Sequence, residues 1–498
     1  KKTHTMDAKE HIVMLPYMAH GHLIPFLELA RQLHQRTGFT ITMASTPLNI
    51  QYLHSTMSTN PIPNIHLAEL PFCSSDHGLP PNSENTENLT LEQIGCFFTA
   101  SQSLKTPFGD LLSDITKKQG RPPLCVISDV LFGWATDVAK RAGTLNFSFT
   151  TGGAYGTLAY ISIWLNLPHR KTDDEEFNVP GFPYRCRFHV SQLHGFVKAA
   201  DGTDTWSRFM QPQLSQSIRS FGWLCNTAEE IEMQALEWLR QYIKLPVWTI
   251  GPLLPPALLK NLASSSSSIN RQCAGKKLGL SLERCIQWLD SCDTESVVYI
   301  SFGSQNTISP SQMMALAIGL EGSNTPFIWV IRPPVGFDMK GEFRDEWLPE
   351  GFEARMFESK QGLLVRNWAP QLEILAHGST GAFLSHCGWN SVMESLSQGV
   401  PIIGWPMAAE QFFNSKMLME EMGVSVELTR GMHSCITREQ VMEVIELVMD
   451  SKGKGEAMKK KAMVVKEQIR TALKGEEEGS SINALDDFVR TVKGSWVQ

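Results

Sequence analysis

The chain has 498 residues, 42% of them hydrophobic and 19% charged, enough apolar material for two domains of roughly 200–250 residues each. Its net charge of −7 argues against nucleic-acid or anionic-membrane partners, which require a basic face, and no apolar run approaches the ~20 residues of a membrane span. Ten cysteines lie scattered from Cys73 to Cys435 without a C-x-x-C pair, the pattern of reduced thiols in a cytoplasmic protein and not of a disulfide frame or a zinc site.

Lys1 to Thr5, ahead of Met6, read as an expression remnant without a signal peptide. Residues 11–16 then read as a buried strand. Residues 25–35 follow as a helix with Phe26, Leu29, Ala30 and Leu33 on one face. Further strands are predicted at 39–44 and 124–128. Near Leu253 the pattern breaks into G-P-L-L-P-P and the serine run Ser264 to Ser268, too polar to pack, which reads as a linker. A strand at 297–302, a helix at 311–320 and a strand at 327–331 restart the alternation. The expectation is an α/β fold with parallel sheets in two similar halves and a cleft between them, ligands binding at the C-terminal strand ends. The divisions are 6–254, a linker over 255–280, a second domain over 281–477, and a last amphipathic helix within 478–498 that packs back on the first half.

His386, Cys387, Gly388, Trp389, Asn390 and Ser391 follow an apolar run at 382–384 and precede another at 392–396. That order is strand, tight turn, helix start. Amides at a helix N-terminus bind phosphate without cations, and His386, Asn390 and Ser391 can add hydrogen bonds. An ordinary N-cap role for Asn390 or Ser391 is the plainer alternative. The wider stretch bounded by Trp368 and Gln411 contains no Lys or Arg. It still holds an aromatic face for a base, a carboxylate for a ribose diol, and an acid–amide pair for sugar hydroxyls.

His22 lies between the first strand and a helix opening at Pro25, where the positive dipole end disfavours imidazolium and suits a general base. A cap or surface role is the alternative, and His20 is a nearby competitor. Asp129 ends the strand at 124–128; it can orient an imidazole or cap a helix near Trp134. No D-x-D, P-loop, G-x-G-x-x-G or H-E-x-x-H pattern occurs, so a metal-bridged diphosphate, ATP, dinucleotide or zinc site is unsupported.

The stretch from Trp368 to Gln411 resembles the signature box of the plant family 1 UDP-dependent glycosyltransferases, in its length and at nearly every characteristic position. His20-Gly21-His22-Leu23-Ile24-Pro25, residues 220–230 and Ser301-Phe302-Gly303-Ser304 fit the same family. The resemblance implies the GT-B fold, two facing Rossmann-like domains with the acceptor in the first and the UDP-sugar in the second. It implies uracil stacked on Trp368, with Ala369 and Gln371 completing base recognition, and Glu394 on the ribose hydroxyls. Ser304, His386, Asn390 and Ser391 would hold the diphosphate, and Trp389, Glu410 and Gln411 would surround the sugar. The family's His directly after Gly favours His22 as base, and its activating Asp falls at Asp129. The implied reaction is inverting transfer of glucose from UDP-glucose to a hydroxyl of a small apolar plant metabolite (flavonoid, terpenoid or other phenolic). No metal or cofactor is implied, and the protein is expected to be a monomer. Gln411 resembles glucose users, whereas Glu410 stands where Asp is frequent and leaves UDP-xylose or UDP-galactose open. Extension of a sugar already on a glycoside, or sugar-nucleotide binding without catalysis, are the other readings. Retention of both His22 and Asp129 argues against the last. Trp164, Phe182, Phe188 and Trp206 line the acceptor pocket or pack a core.

Overall fold

Strands β1 (His11–Leu15), β2 (Thr40–Ser45), β3 (Ile65–Glu69), β4 (Cys125–Asp129) and β5 (Leu145–Thr150) build most of one parallel sheet. A separate two-stranded ribbon of β6 (Glu176–Asn178) and β7 (Arg187–His189) follows; β8 (Gly222–Cys225) and β9 (Val247–Thr249) then complete the sheet in the order β3-β2-β1-β4-β5-β8-β9. The computed structural model describes residues 10–58, 61–87, 89–254, 279–474 and 479–495. The remnant at Lys1 to Thr5 and the predicted linker up to residue 278, serine run included, lie outside the described residues.

The chain divides into two units. The first takes the described residues of Lys1–Phe188, Phe196–Leu253 and Ala472–Gln498, and the second those of His189–Gly195 and Leu254–Thr471. In the first, every residue of β1 is buried, as an apolar strand must be when helices cover both faces of its sheet. Ile12 and Met14 join Leu23, Phe26, Leu485, Phe488 and Val492 in one core. The last three come from the helix Ser480–Gly494, which is amphipathic as predicted and is fastened by Trp248 Nε1 donating to Asp487 at 2.8 Å.

The helix after β1 spans His20–Thr37, one turn earlier than predicted, with Pro25 inside it. Pro25 is the sixth helical residue, so it removes the amide that would donate to the Gly21 carbonyl, and the helix continues through that one missing bond. His22 is therefore a first-turn helical residue and not part of the preceding loop. The helix ends on Gly38 at φ 69°, whose N–H donates to the His34 carbonyl, a left-handed C-cap that glycine adopts without steric cost.

The second sheet comprises β10 (Val297–Ser301), β11 (Phe327–Ile331), β12 (Gly362–Arg366), β13 (Thr380–Ser385), β14 (Ile402–Gly404) and β15 (Ser425–Glu427). All are parallel, in the order β12-β11-β10-β13-β14-β15. Val298 and Ile300 face one core, while Val297 and Tyr299 face another. That alternation is the pleat, read on a sheet buried on both sides. In each sheet the strand order reverses once, between β1 and β4 and between β10 and β13. Open α/β sheets bind ligands outside the carboxyl ends of strands at such a point. Among the described residues no helix is long and apolar enough to cross a membrane.

Candidate active site and nucleotide-sugar site

At the reversal in the first sheet, His22 Nδ1 donates to Asp129 Oδ2 at 2.6 Å. The imidazole is 27% exposed and the carboxylate fully buried. A carboxylate only accepts when ionised, so the bond places the ring proton on Nδ1 and leaves the Nε2 lone pair to take a proton. The other oxygen, Oδ1, accepts from the Leu131 amide at 3.0 Å and caps the short turn Val130–Phe132. Asp129 thus both caps and orients, although the helix it was expected to cap, Ala135–Arg141, begins on Trp134 instead. His20 turns elsewhere: its Nδ1 lies 3.0 Å from Glu87 and its ring 4.2 Å from Tyr52. Geometry therefore separates the two histidines. Buried Tyr17 stands 5.7 Å from the His22 ring, and burial pushes its phenol well above the usual range.

At the reversal in the second sheet, β13 runs into His386, Cys387 and Gly388, and the helix Trp389–Ser397 begins. Cys387 has φ 63°, which a side chain other than glycine's rarely tolerates. It is held by Ser385 Oγ on its amide at 3.1 Å and by Asn414 Nδ2 on its carbonyl at 3.0 Å. Gly388 is the N-cap and carries no side-chain cap bond. Neither Asn390 nor Ser391 is the cap; they occupy the second and third helical positions, in the turn of outward amides.

The His386 ring fills the space beside two glycines. A Cβ on Gly303, itself at φ +74°, would come within 2.6 Å of His386 Nε2, and one on Gly388 would also collide with that ring. Burial, then the Arg332 charge, depresses the His386 imidazole to about 4. At neutral pH it is an uncharged hydrogen-bonding group. Ser304 lies beyond Gly303 in the loop after β10, with its carbonyl 2.8 Å from Arg332 Nη1.

After β12, Asn367 at φ 62° turns the chain into half-buried Trp368 and buried Ala369. Gln371 opens the helix Gln371–Ala376 and is engaged on all sides. Its Nε2 donates to Glu394 Oε2 at 2.7 Å and Ser391 Oγ at 3.1 Å, and its Oε1 accepts from Tyr299 OH at 3.2 Å. Expected to read the base, the amide here orients the buried Glu394 carboxylate. After β14, Gln411 heads the helix Gln411–Met417, and its Oε1 accepts from the amides of Met407 (3.0 Å) and Ala408 (2.9 Å). Its Nε2 is left as the donor. Glu410, half-buried, precedes it as N-cap. Trp389, expected beside the sugar, is 3% exposed.

Three residues escaped the sequence reading: Tyr17, Tyr299 and Arg332. The signal for Arg332 was present, since it directly follows the strand ending at Ile331, and residues beyond C-terminal strand ends line such sites.

Two family models match, one described as glycosyltransferase, N-terminal domain, over residues 9–255, and one as UDP-glucoronosyl and UDP-glucosyl transferase, over residues 250–469. Crocetin glucosyltransferase 3 of Crocus sativus is 46% identical, covering 90% of this chain and 93% of its own. UDP-glycosyltransferase 92A1 of Arabidopsis thaliana is 43% identical over 96% of both. The structure of Glycyrrhiza uralensis UGT73P12 complexed with glycyrrhetinic acid 3-O-monoglucuronide superposes with a TM-score of 0.82 at 26% identity, covering 99% of this chain and 97% of that one.

Proposed function

Because this chain belongs to the plant UDP-glycosyltransferases, and is therefore a sugar-transferring enzyme of GT-B fold, we propose that it moves glucose from UDP-glucose to a hydroxyl of a small, largely apolar plant metabolite, inverting the anomeric centre. The observation that carries this reading is the His22–Asp129 hydrogen bond. In the proposed reaction residues 6–254 take the acceptor and 281–477 the donor. His22 Nε2 removes the acceptor's hydroxyl proton, while Asp129 holds the ring and stabilises the imidazolium that forms. The oxygen attacks the anomeric carbon from the face opposite UDP, giving a β-glucoside from an α-linked donor. UDP departs with its charge stabilised by the amides opening Trp389–Ser397. Among the relatives, one is named a crocetin glucosyltransferase, and one solved structure is complexed with glycyrrhetinic acid 3-O-monoglucuronide, a glycoside.

Glucose is favoured by what Gln411 and Glu410 have to offer. The Gln411 carbonyl is engaged by Met407 and Ala408, so its side chain can only donate, and Glu410 can only accept. Equatorial 3- and 4-hydroxyls satisfy such a pair, whereas an axial 4-hydroxyl leaves one partner unpaired. An unpaired buried polar group costs ~1–3 kcal/mol, roughly ten- to a hundredfold in preference. The test is a competition of UDP-glucose, UDP-galactose and UDP-xylose at equal concentration against a panel of flavonoids, terpenoids and glycosides. The expected product is a β-glucoside, identified by mass and anomeric coupling. Preference for another sugar would refute the donor assignment, and an α-glucoside would refute inversion.

A further inference from the structure

The stretch from Trp368 to Gln411 brings no cation, yet a guanidinium stands between the loops it has to organise. Arg332 leaves the end of β11, the strand lying between β10 and β12. On one side its Nη1 donates to the Ser304 carbonyl at 2.8 Å, and its Nη2 reaches the carbonyls of Gly303 and, at 3.4 Å, Asn306. On the other side its Cζ lies 5.4 Å from the centroid of the Trp368 ring, over the face. The first contact fixes the loop expected at the diphosphate. The second covers one face of the indole expected to stack on the base.

We propose that Arg332 is the positioning residue of the nucleotide site: its planar fork holds the 303–306 loop and the Trp368 indole in one arrangement, so that diphosphate and base subsites are set at a fixed spacing. The proposal rests on the reading of this region as the UDP-sugar site. A lysine keeps the charge but cannot hold three carbonyls and cover a ring at once, since its ammonium is a compact point donor. Charge alone and fork geometry are thereby separable. Burial keeps the neighbouring imidazole of His386 uncharged, and the guanidinium adds to that effect.

Titration calorimetry with UDP, on the full chain and on R332A, R332K, W368A and the double variant R332A/W368A, tests this. Removing several hydrogen bonds to a charged group should weaken UDP binding about tenfold or more in R332A, with R332K close to R332A. Because the two residues act as one unit, R332A should cost clearly less in the W368A background than in the wild type. In turnover the donor KM should rise while the acceptor KM stays within about twofold, a split that general loosening of the fold would not give. R332K serves as the folded variant should R332A fail to fold, which melting curves report. Full recovery of affinity in R332K would overturn the proposal by showing that charge alone acts. Additivity of the two alanine substitutions, or equal rises in both KM values, would overturn it as well. If the unaltered protein binds no UDP, the nucleotide-site reading itself fails; unchanged UDP affinity in R332A removes only the role of Arg332.

Discussion

The two sheets share the same order over six strands, the first adding β9 at its edge, and put contrasting electrostatics at the same place. Where the order reverses between β1 and β4, the first unit sets an ionisable pair, His22 with Asp129, whose members are 107 residues apart in sequence. Where it reverses between β10 and β13, the second sets a helix N-terminus, a buried neutral imidazole and an Arg332 fork turned onto backbone carbonyls. Topology decides where a ligand can meet the chain ends. The groups at those ends decide what can be done there. Moving a proton requires a titratable pair of fixed tautomer, whereas a diphosphate can be held by fixed dipoles, which a helix start supplies with little reorganisation.

Breaking each side separately is the sharpest use of that contrast. His22→Ala should lower turnover by at least ~10²-fold, the scale of a lost general base, with UDP affinity in calorimetry unchanged; near-normal turnover on an alcohol acceptor would remove His22 from the mechanism. Glu394→Ala should do the converse. It takes the carboxylate from the expected ribose contact and leaves Gln371 Nε2 with only Ser391 among its observed partners. UDP binding should fall by roughly ten- to a hundredfold, while single-turnover rates at saturating donor fall far less. A loss confined to turnover would place Glu394 outside the nucleotide site.

Legibility in the sequence followed the same divide. The second site was readable as a contiguous box because its parts sit on consecutive loops, and a run of neighbouring residues is what a linear pattern records. The pairing of His22 with Asp129 brings together residues 107 apart, so only the family resemblance joined them and favoured His22 over His20, which the fold places beside Glu87 and Tyr52. The misplaced helix start at Pro25 came from reading proline as a first-turn residue, whereas it lies one turn inside the helix His20–Thr37. A sequence shows residue type but not the partners a side chain already has: Gln371 is tied to Glu394 and Ser391, and Trp389 is buried. Arg332 was overlooked because it lies outside the box.

A smaller effect separates the sites by pH. Burial holds the His386 imidazole at about 4 against an ordinary 6.5. Between those values the unfolded chain binds a proton that the folded chain refuses. Its contribution to stability is therefore fully present above about pH 6.5 and is lost as pH falls toward 4, by up to ~1.4 kcal/mol per pH unit. Urea midpoints at pH 7 and pH 5, compared between the wild type and His386→Asn, isolate this share from that of His194, which burial also holds at about 4. The variant should lose less on acidification. Equal losses would mean that His386 is not buried as a neutral ring.

The smallest expected effect is none at all: activity should be unchanged by EDTA and by added Mg²⁺. A diphosphate can be balanced by a divalent cation or by fixed dipoles, and the donor set at β10 and β13 is of the second kind. Ser304, Asn390 and Ser391 are neutral, His386 is held uncharged, and Trp389–Ser397 presents its N-terminal turn. Among the described residues no three His, Cys, Asp or Glu side chains gather as a metal would require. Glu394, the carboxylate tied to Gln371 and Ser391 beside the turn, is one acid and not a pair. Initial rates should therefore be the same with EDTA, with Mg²⁺ and with neither. Loss of activity in EDTA, restored by Mg²⁺, would show that the second site needs a cation as the first needs its carboxylate, and the contrast between the two would fall.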